Sequence, residues 1–114
     1  MTTQQYIDAN RERYLEELFR MLRIPSVSTD KKRDDDTHAC AVLLQTYMAK
    51  AGLENVTLYP TDGHPIVYAD KMIDPALPTI LVYGHYDVQP AAPLDEWNSD
   101  PFEPEIRKTE HHPD

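Results

Sequence analysis

Apolar residues in the first part of the chain recur at spacings of three, four and seven positions. The pattern runs from Tyr6 to Leu22, with Thr2 and Thr3 placed to cap its start and Pro25 placed to close it. Such spacing puts the apolar side chains on one face of a helix. The pattern therefore predicts one amphipathic helix.

A second helical pattern follows a charged stretch. Residues 24–36 read IPSVSTDKKRDDD and predict a solvated loop that leads into a helix. The three aspartates at 34–36 have a sharper interpretation as a catalytic carboxylate cluster. Acids beside a helix start interact favourably with the helix dipole, however, and this simpler interpretation is preferred. Helical spacing continues from Ala39 until Gly52, a natural residue just past a helix end.

The period of the pattern changes after Gly52. Val56 and Leu58 alternate with polar neighbours, and Asp62 with Gly63 supplies a turn before the short apolar segment PIVYA. Alternation on both sides of a turn is typical of a β-hairpin. We therefore expect two antiparallel strands in this part of the chain.

A continuous apolar run, Ile80–Tyr83, follows and predicts a strand covered on both faces. It stops at Gly84, and His85 and Asp87 then stand two positions apart. Helices before and after short strands indicate a layered α/β domain. Ligands of such domains bind outside the carboxyl ends of the strands, so we expect His85 and Asp87 to lie at a functional location.

A histidine and an aspartate at this spacing suit one kind of chemistry. A metal-bound imidazole uses one nitrogen for the ion and usually donates the other N–H to a carboxylate or carbonyl. Because residues i and i+2 share a face of an extended chain, Asp87 is placed to support His85. Without further context, the pair is more simply an ordinary strand-end histidine near a turn aspartate, because short motifs often match by chance.

Composition narrows the partners and the compartment. The 114 residues carry a formal net charge of −9 and are 40% hydrophobic, enough for one small domain. The negative charge argues against nucleic acid and anionic membrane surfaces as partners. The polar first residues and the lack of a long apolar run predict neither a secretory signal nor a membrane span, and we expect a cytoplasmic protein. The single cysteine, Cys40, is expected to be a small buried hydrophobe.

The stretch YGHYDVQPAAPLDEWNSDPFEPEIRK, residues 83–108, resembles the first metal motif and following loop of a known family. This is the family of co-catalytic zinc metallopeptidases, which includes the cytosolic dipeptidases, glutamate carboxypeptidase and the aminoacylases. The segment IPSVS and both predicted helices are similar to the family's amino-terminal end. The form YGHYDVQP, with Trp97 and then PFEP, looks most like the carnosinase-like dipeptidase branch.

The resemblance implies a fold, a reaction and a cofactor. The fold is a three-layer α/β zinc-peptidase-like catalytic domain, of which residues 1–114 are the amino-terminal portion without the lid and dimerisation domain. His85 is implied as a ligand of one of two zinc ions, with Mn²⁺ as the other candidate metal, and Asp87 as the catalytic-site residue that orients His85. A water activated by both metals attacks the amide carbonyl of a dipeptide or short peptide, and a glutamate takes its proton.

This sequence departs from the family in length. The other metal ligands and the glutamate base of the family lie beyond the segment that corresponds to Asp114. A catalytic zinc needs three protein ligands, so we expect the 114-residue chain alone to be inactive and the activity to belong to a longer parent. Two alternatives stay open: a deacylase of N-acyl amino acids from the same family, and a truncated interaction module that binds no metal.

A few further expectations concern packing and association. Trp97 and Phe102 are expected to pack their loop rather than line a substrate pocket, and His64 is expected to be exposed in the hairpin turn. The adjacent His111 and His112 are expected to be disordered. Unpaired sheet edges predict self-association of this chain. The resemblance also allows a homodimer of the full-length parent.

Overall fold

The computed structural model describes residues 1–108 of the chain. The adjacent His111 and His112 lie outside the described residues. Contacts divide the chain into two compact units. One unit comprises Ile24–Pro90, and the other combines Met1–Arg23 with the segment that begins at Ala91.

The first helical region consists of two helices, α1 (Thr3–Ala9) and α2 (Arg11–Leu22), where one was predicted. The break falls at Asn10, whose backbone is not helical and whose side chain donates to the Tyr6 carbonyl at 2.8 Å. Asparagine side chains compete in this way for backbone groups and favour helix ends. The predicted cap at Thr2 is confirmed, because its hydroxyl accepts from the Gln5 amide.

Helix α3 spans Asp34–Lys50 and follows a short 3₁₀ turn, Lys31–Arg33. Its first turn contains the three aspartates at 34–36, where their charge meets the positive end of the helix dipole. The simpler interpretation of these acids is therefore confirmed. Gly52 follows the helix with φ of +84°, a conformation that favours glycine, as predicted.

The predicted hairpin is also confirmed. Strands β1 (Glu54–Tyr59) and β2 (Ile66–Asp70) pair antiparallel. Leu58 lies opposite Val67 in the register, and α3 packs against both strands. Together with α3, the hairpin confirms the α/β class for this unit.

The prediction of a covered strand at Ile80–Tyr83 is wrong for this structure. The described residues form no strand there, and the four residues are between 84% and 91% exposed. A strand needs a neighbour that takes up its backbone hydrogen bonds, and among residues 1–108 the sheet contains only β1 and β2. Just beyond the run, Val88 forms an isolated parallel bridge with Val27.

The buried part of the unit Ile24–Pro90 is small. The described side chains with almost no exposure belong to the segment before α3 and to one face of α3: Ser26, Val27, Thr37, Cys40 and Ala41. This small core lies beneath the segment that carries Tyr86, because Ser26 and Cys40 both donate to the Tyr86 carbonyl. Within residues 1–108, no helix has both the length and the apolar character to cross a membrane.

Candidate functional site

His85 and Asp87 are hydrogen-bonded to each other. The Nδ1 atom of His85 lies 3.0 Å from the Asp87 Oδ1 atom and 3.0 Å from the Asp87 carbonyl oxygen. Both oxygens accept hydrogen bonds, so Nδ1 carries the proton when the ring is neutral. The lone pair of the neutral ring therefore lies on Nε2.

The outer edge of the imidazole is open to solvent. The His85 side chain is 72% exposed, and its Nε2 atom has no hydrogen-bond partner among residues 1–108. A neutral imidazole with one nitrogen donating to a carboxylate and the other free is the arrangement typical of a metal-binding histidine. The chemistry of this donor set therefore fits one metal ligand.

Asp87 is held from its other side by Ser28. The Ser28 hydroxyl donates to the Asp87 Oδ2 atom at 2.6 Å, a short distance typical of a hydrogen bond to a charged oxygen. This hydrogen bond is the largest influence that lowers the pKa of Asp87; partial burial opposes it, and His85 adds to it. Asp87 is therefore an anion near neutral pH, with one oxygen for Ser28 and one for His85.

The backbone around Tyr86 is anchored to the segment that precedes α3. The Ser26 hydroxyl donates to the Tyr86 carbonyl at 2.9 Å, and the Val88 amide donates to the Ser26 carbonyl at 2.9 Å. Together with the bridge between Val27 and Val88, these bonds align the two segments side by side. His85 and Asp87 are thus placed by contacts that span about half of the chain.

Cys40 and Tyr86 complete the packing beneath the pair. Cys40 is 1% exposed, and its thiol donates to the Tyr86 carbonyl at 3.6 Å. Burial raises the pKa of the Cys40 thiol. The Tyr86 hydroxyl donates to the Pro65 carbonyl at 2.5 Å, and burial, followed by nearby Cys40 and Asp87, raises its pKa. The prediction that Cys40 is a buried hydrophobe is confirmed.

His64 differs from its prediction. It is partly buried rather than exposed, and its Nε2 atom lies 3.0 Å from the Ser28 carbonyl oxygen. The carbonyl accepts, so Nε2 donates and carries the proton. Asp34 Oδ1 lies 4.0 Å from the same nitrogen. The turn of the hairpin is therefore tied to the segment that holds Asp87, a contact between residues 36 positions apart.

Trp97 and Phe102 lie in the other unit. Trp97 is half exposed and lines an open cleft of about 710 Å³ together with Phe19 and Leu22. Phe102 is partly buried.

Sequence reasoning missed Ser26 and Ser28 as parts of the site. The segment IPSVS was interpreted as part of a solvated loop, although both of its hydroxyls bond to the segment that carries His85 and Asp87. The one signal available was the pair of hydroxyl residues in a segment that resembled the family.

Within residues 1–108, no group of three or more metal-ligating side chains comes together.

The sequence of this chain is similar to those of several metallodipeptidases and of a desuccinylase. No family model matches the chain. The Cys-Gly metallodipeptidase dug1 of Schizosaccharomyces pombe is 32% identical over 107 residues, which cover 86% of this chain and 22% of that protein. The β-Ala-His dipeptidase of Rattus norvegicus is 36% identical over 90 residues, with 79% and 16% coverage. The succinyl-diaminopimelate desuccinylase of Acinetobacter baylyi is 34% identical over 100 residues, with 86% and 24% coverage.

The solved structure of the dipeptidase Dug1p from Saccharomyces cerevisiae is similar in fold. It superposes with a TM-score of 0.77 at 28% identity, over 87% of this chain and 23% of that structure. This likeness confirms the expected peptidase-like α/β fold. The chain spans less than a quarter of the length of the curated relatives described above.

Proposed function

Because this chain belongs to the family of the metallodipeptidases, we propose that it forms part of a metal-dependent hydrolase that cleaves dipeptides or short peptides. The observation that carries the proposal is the braced imidazole of His85. Its Nδ1–H donates to Asp87, and its Nε2 is left open to solvent. The names of the metallodipeptidase relatives support a metal as the group that this nitrogen would bind.

In the proposed site, His85 binds the metal through Nε2 and Asp87 holds the ring in the tautomer that leaves this nitrogen unprotonated. The metal is Zn²⁺, two ions in the complete site, with Mn²⁺ as the other candidate. When bound, the metal lowers the pKa of water and polarises an amide carbonyl. Asp87 remains charged because Ser28 and His85 both donate to it, so it keeps accepting the hydrogen bond from His85 Nδ1.

We propose further that the activity belongs to a longer parent enzyme and that the 114-residue chain is inactive alone. A catalytic zinc needs three protein ligands and an open position, whereas the described residues offer one braced imidazole. In this proposal, the chain supplies one metal ligand and its support as the amino-terminal segment of the catalytic domain.

A deacylase of N-acyl amino acids is the second candidate, and one specific relative favours it. The desuccinylase of Acinetobacter baylyi is 34% identical to this chain. Both reactions need an activated water and an amide carbonyl, so they differ in the groups that recognise the substrate rather than in the role of His85. A panel that contains dipeptides and N-succinyl amino acids separates the two.

Activity assays test the proposal directly. The purified 114-residue chain is incubated with Zn²⁺ or Mn²⁺ and with Cys-Gly, β-Ala-His and N-succinyl substrates. We expect no turnover; turnover that disappears in His85→Ala would contradict the inactivity of the isolated chain. In a longer polypeptide that carries this segment, we expect two equivalents of zinc and peptidase activity, both reduced by His85→Ala.

The same longer polypeptide tests the non-catalytic alternative, an interaction module without metal. If it binds no zinc by titration calorimetry and cleaves none of the substrates, the module is the better account. His38→Ala serves as the matched control for His85→Ala, because His38 is an exposed histidine of α3 without a hydrogen bond to an acid among residues 1–108.

Two further proposals concern the surroundings of the protein. A buried free thiol at Cys40 suits a reducing compartment and supports a cytoplasmic location. The exposed apolar run Ile80–Tyr83 supports association with a second copy of this chain, since exposed apolar surface with free backbone groups favours pairing. Light scattering that shows a monomer at high protein concentration would contradict the association.

A further inference from the structure

Ser28 is the residue through which the segment before α3 reaches the candidate metal ligand. Its hydroxyl donates to Asp87 Oδ2 at 2.6 Å, and Asp87 Oδ1 lies 3.0 Å from His85 Nδ1. The two oxygens of one carboxylate are thus divided between two donors. A carboxylate turns readily about its terminal bond unless both oxygens are held, because that torsion is broad.

The position of Ser28 itself is fixed by several contacts. Its carbonyl accepts from His64 Nε2 at 3.0 Å, and the neighbouring Val27 pairs with Val88. The Ser28 side chain is therefore attached to a well-held backbone, whereas His85 is largely exposed. The fixed Ser28 hydroxyl holds the Asp87 carboxylate, and this carboxylate holds the exposed His85 ring. The orientation of the ring is therefore determined by the packed part of the unit.

From this geometry we infer that Ser28 is a positioning residue: it orients the Asp87 carboxylate so that the neutral His85 ring keeps its proton on Nδ1 and presents Nε2 to a metal. The inference rests on the proposed function for the identity of the ligand. The orientation of Asp87 and the tautomer of His85 are properties of the metal-free chain, however, and are measurable in it.

Nitrogen-15 NMR of the histidine rings tests the inference without metal. At a pH well above the ordinary histidine pKa of about 6.5, the ring nitrogen shifts report the ratio of the two neutral tautomers. We expect the Nδ1–H form of His85 to dominate in the wild type. In Ser28→Ala, we expect the ratio of Nδ1–H to Nε2–H to fall by roughly three- to tenfold, the factor that corresponds to one hydrogen bond. The loss is partial because the Asp87 carbonyl still accepts from Nδ1.

Three comparisons separate positioning from general damage to the fold. Ser28→Thr keeps a hydroxyl and should restore the wild-type ratio. Ser26→Ala removes a hydroxyl from the same segment that bonds to the Tyr86 carbonyl instead of to Asp87, and it should change the ratio less than Ser28→Ala does. His64 is an internal reference, because it contacts the Ser28 carbonyl, which Ser28→Ala retains.

An unchanged His85 tautomer ratio in Ser28→Ala, with a folded spectrum, would overturn the inference. An equal change in Ser26→Ala, or a loss of the His64 signal position in Ser28→Ala, would also overturn it, because the effect would then be a loss of the local fold. A change confined to His85 supports the inference.

Addition of Zn²⁺ alone at neutral pH to the longer polypeptide that carries this segment distinguishes this inference from the proposed function, because residues 1–108 offer only one braced imidazole. A zinc-dependent shift of His85 Nε2 that is weaker in Ser28→Ala supports both; loss of support around a metal ligand typically lowers affinity by about 10- to 100-fold. If zinc leaves His85 Nε2 unchanged in the wild type while Ser28→Ala still alters the tautomer ratio, the positioning role holds and the proposed metal ligation fails.

Discussion

Two neighbouring stretches of the chain have opposite surroundings. The apolar run Ile80–Tyr83 is between 84% and 91% exposed and forms no strand, whereas Tyr86 to Val88 is tied to the segment Ser26–Ser28 by backbone and hydroxyl hydrogen bonds. The more apolar stretch is the more exposed one. Only two residues, Gly84 and His85, separate them.

The difference lies in the availability of partners. Burial of an apolar strand requires a neighbouring strand for its backbone groups and a surface for its side chains, and residues 1–108 offer neither to Ile80–Tyr83. The second stretch finds its partners in Ser26 and Ser28, whose hydroxyls and backbone lie beside it. Hydrogen-bond complementarity, rather than hydrophobicity, therefore decides which of the two stretches packs against the rest of the unit.

The strongest test of this comparison is to disturb the small buried core that lies beneath the stretch Tyr86 to Val88. Ala41 has no exposed surface and lies on α3 next to Cys40. Ala41→Leu should lower the free energy of unfolding by about 1–3 kcal/mol, because the added carbons cannot fit without displacing neighbours. Urea denaturation measures the change. Ala49→Leu on the exposed side of the same helix is the matched control and should change stability little.

A smaller effect is expected when one hydrogen bond of the stretch Tyr86 to Val88 is removed. Ser26→Ala should lower the free energy of unfolding by about 1 kcal/mol, since the Tyr86 carbonyl loses its bond to the Ser26 hydroxyl. Thr79→Val removes an exposed hydroxyl beside the apolar run and should have almost no effect. Equal effects in the two variants would contradict the contrast between the two stretches.

The buried thiol of Cys40, beneath the stretch Tyr86 to Val88, predicts that the free energy of unfolding depends on pH. Burial raises the folded-state pKa of Cys40, because the charged thiolate is disfavoured there. Its contribution to stability is fully present below the ordinary thiol pKa of about 8.5 and is lost as the pH rises through the folded-state value. Urea denaturation between neutral and alkaline pH should show this loss in the wild type. Cys40→Ala should lack that part of the dependence.

Alkylation of the thiol provides a second measurement of the same burial. Iodoacetamide should react slowly with Cys40 in the folded chain and rapidly in urea, because the reactive thiolate is scarce and covered in the fold. Rapid reaction of the folded chain would show that the support beneath Tyr86 opens readily.

The smallest effect is expected in the exposed run. Val82→Thr keeps the shape of the side chain and should change the free energy of unfolding by no more than about 0.5 kcal/mol, because Val82 makes little contact with the rest of the chain. A decrease well above this value, measured on a monomeric sample, would mean that the run is packed in solution, and the comparison would fail. A decrease that depends on protein concentration would instead support self-association.

Features that depend on neighbours in the sequence were predictable. The acids at 34–36 and Gly52 mark the ends of α3, and alternation around Asp62 and Gly63 marks the hairpin. The hydrogen bond between His85 and Asp87 belongs to the same group, because two residues in extended chain suffice for it. The break at Asn10 was missed, since helical spacing on both sides concealed one residue with a strong preference for helix ends.

The sequence by itself determined the local elements and the pair at the centre of the candidate site, because helix ends, turns and an i, i+2 contact involve few residues close in the chain. Only the tertiary structure decided that Ser28 holds Asp87 and that His64 holds Ser28, contacts between residues 59 and 36 positions apart. It also decided that Ile80–Tyr83 stays exposed. A hydrogen bond over such separations, or the burial of a strand, depends on which distant groups the fold brings next to it. The hydrophobic pattern of the sequence does not specify those groups.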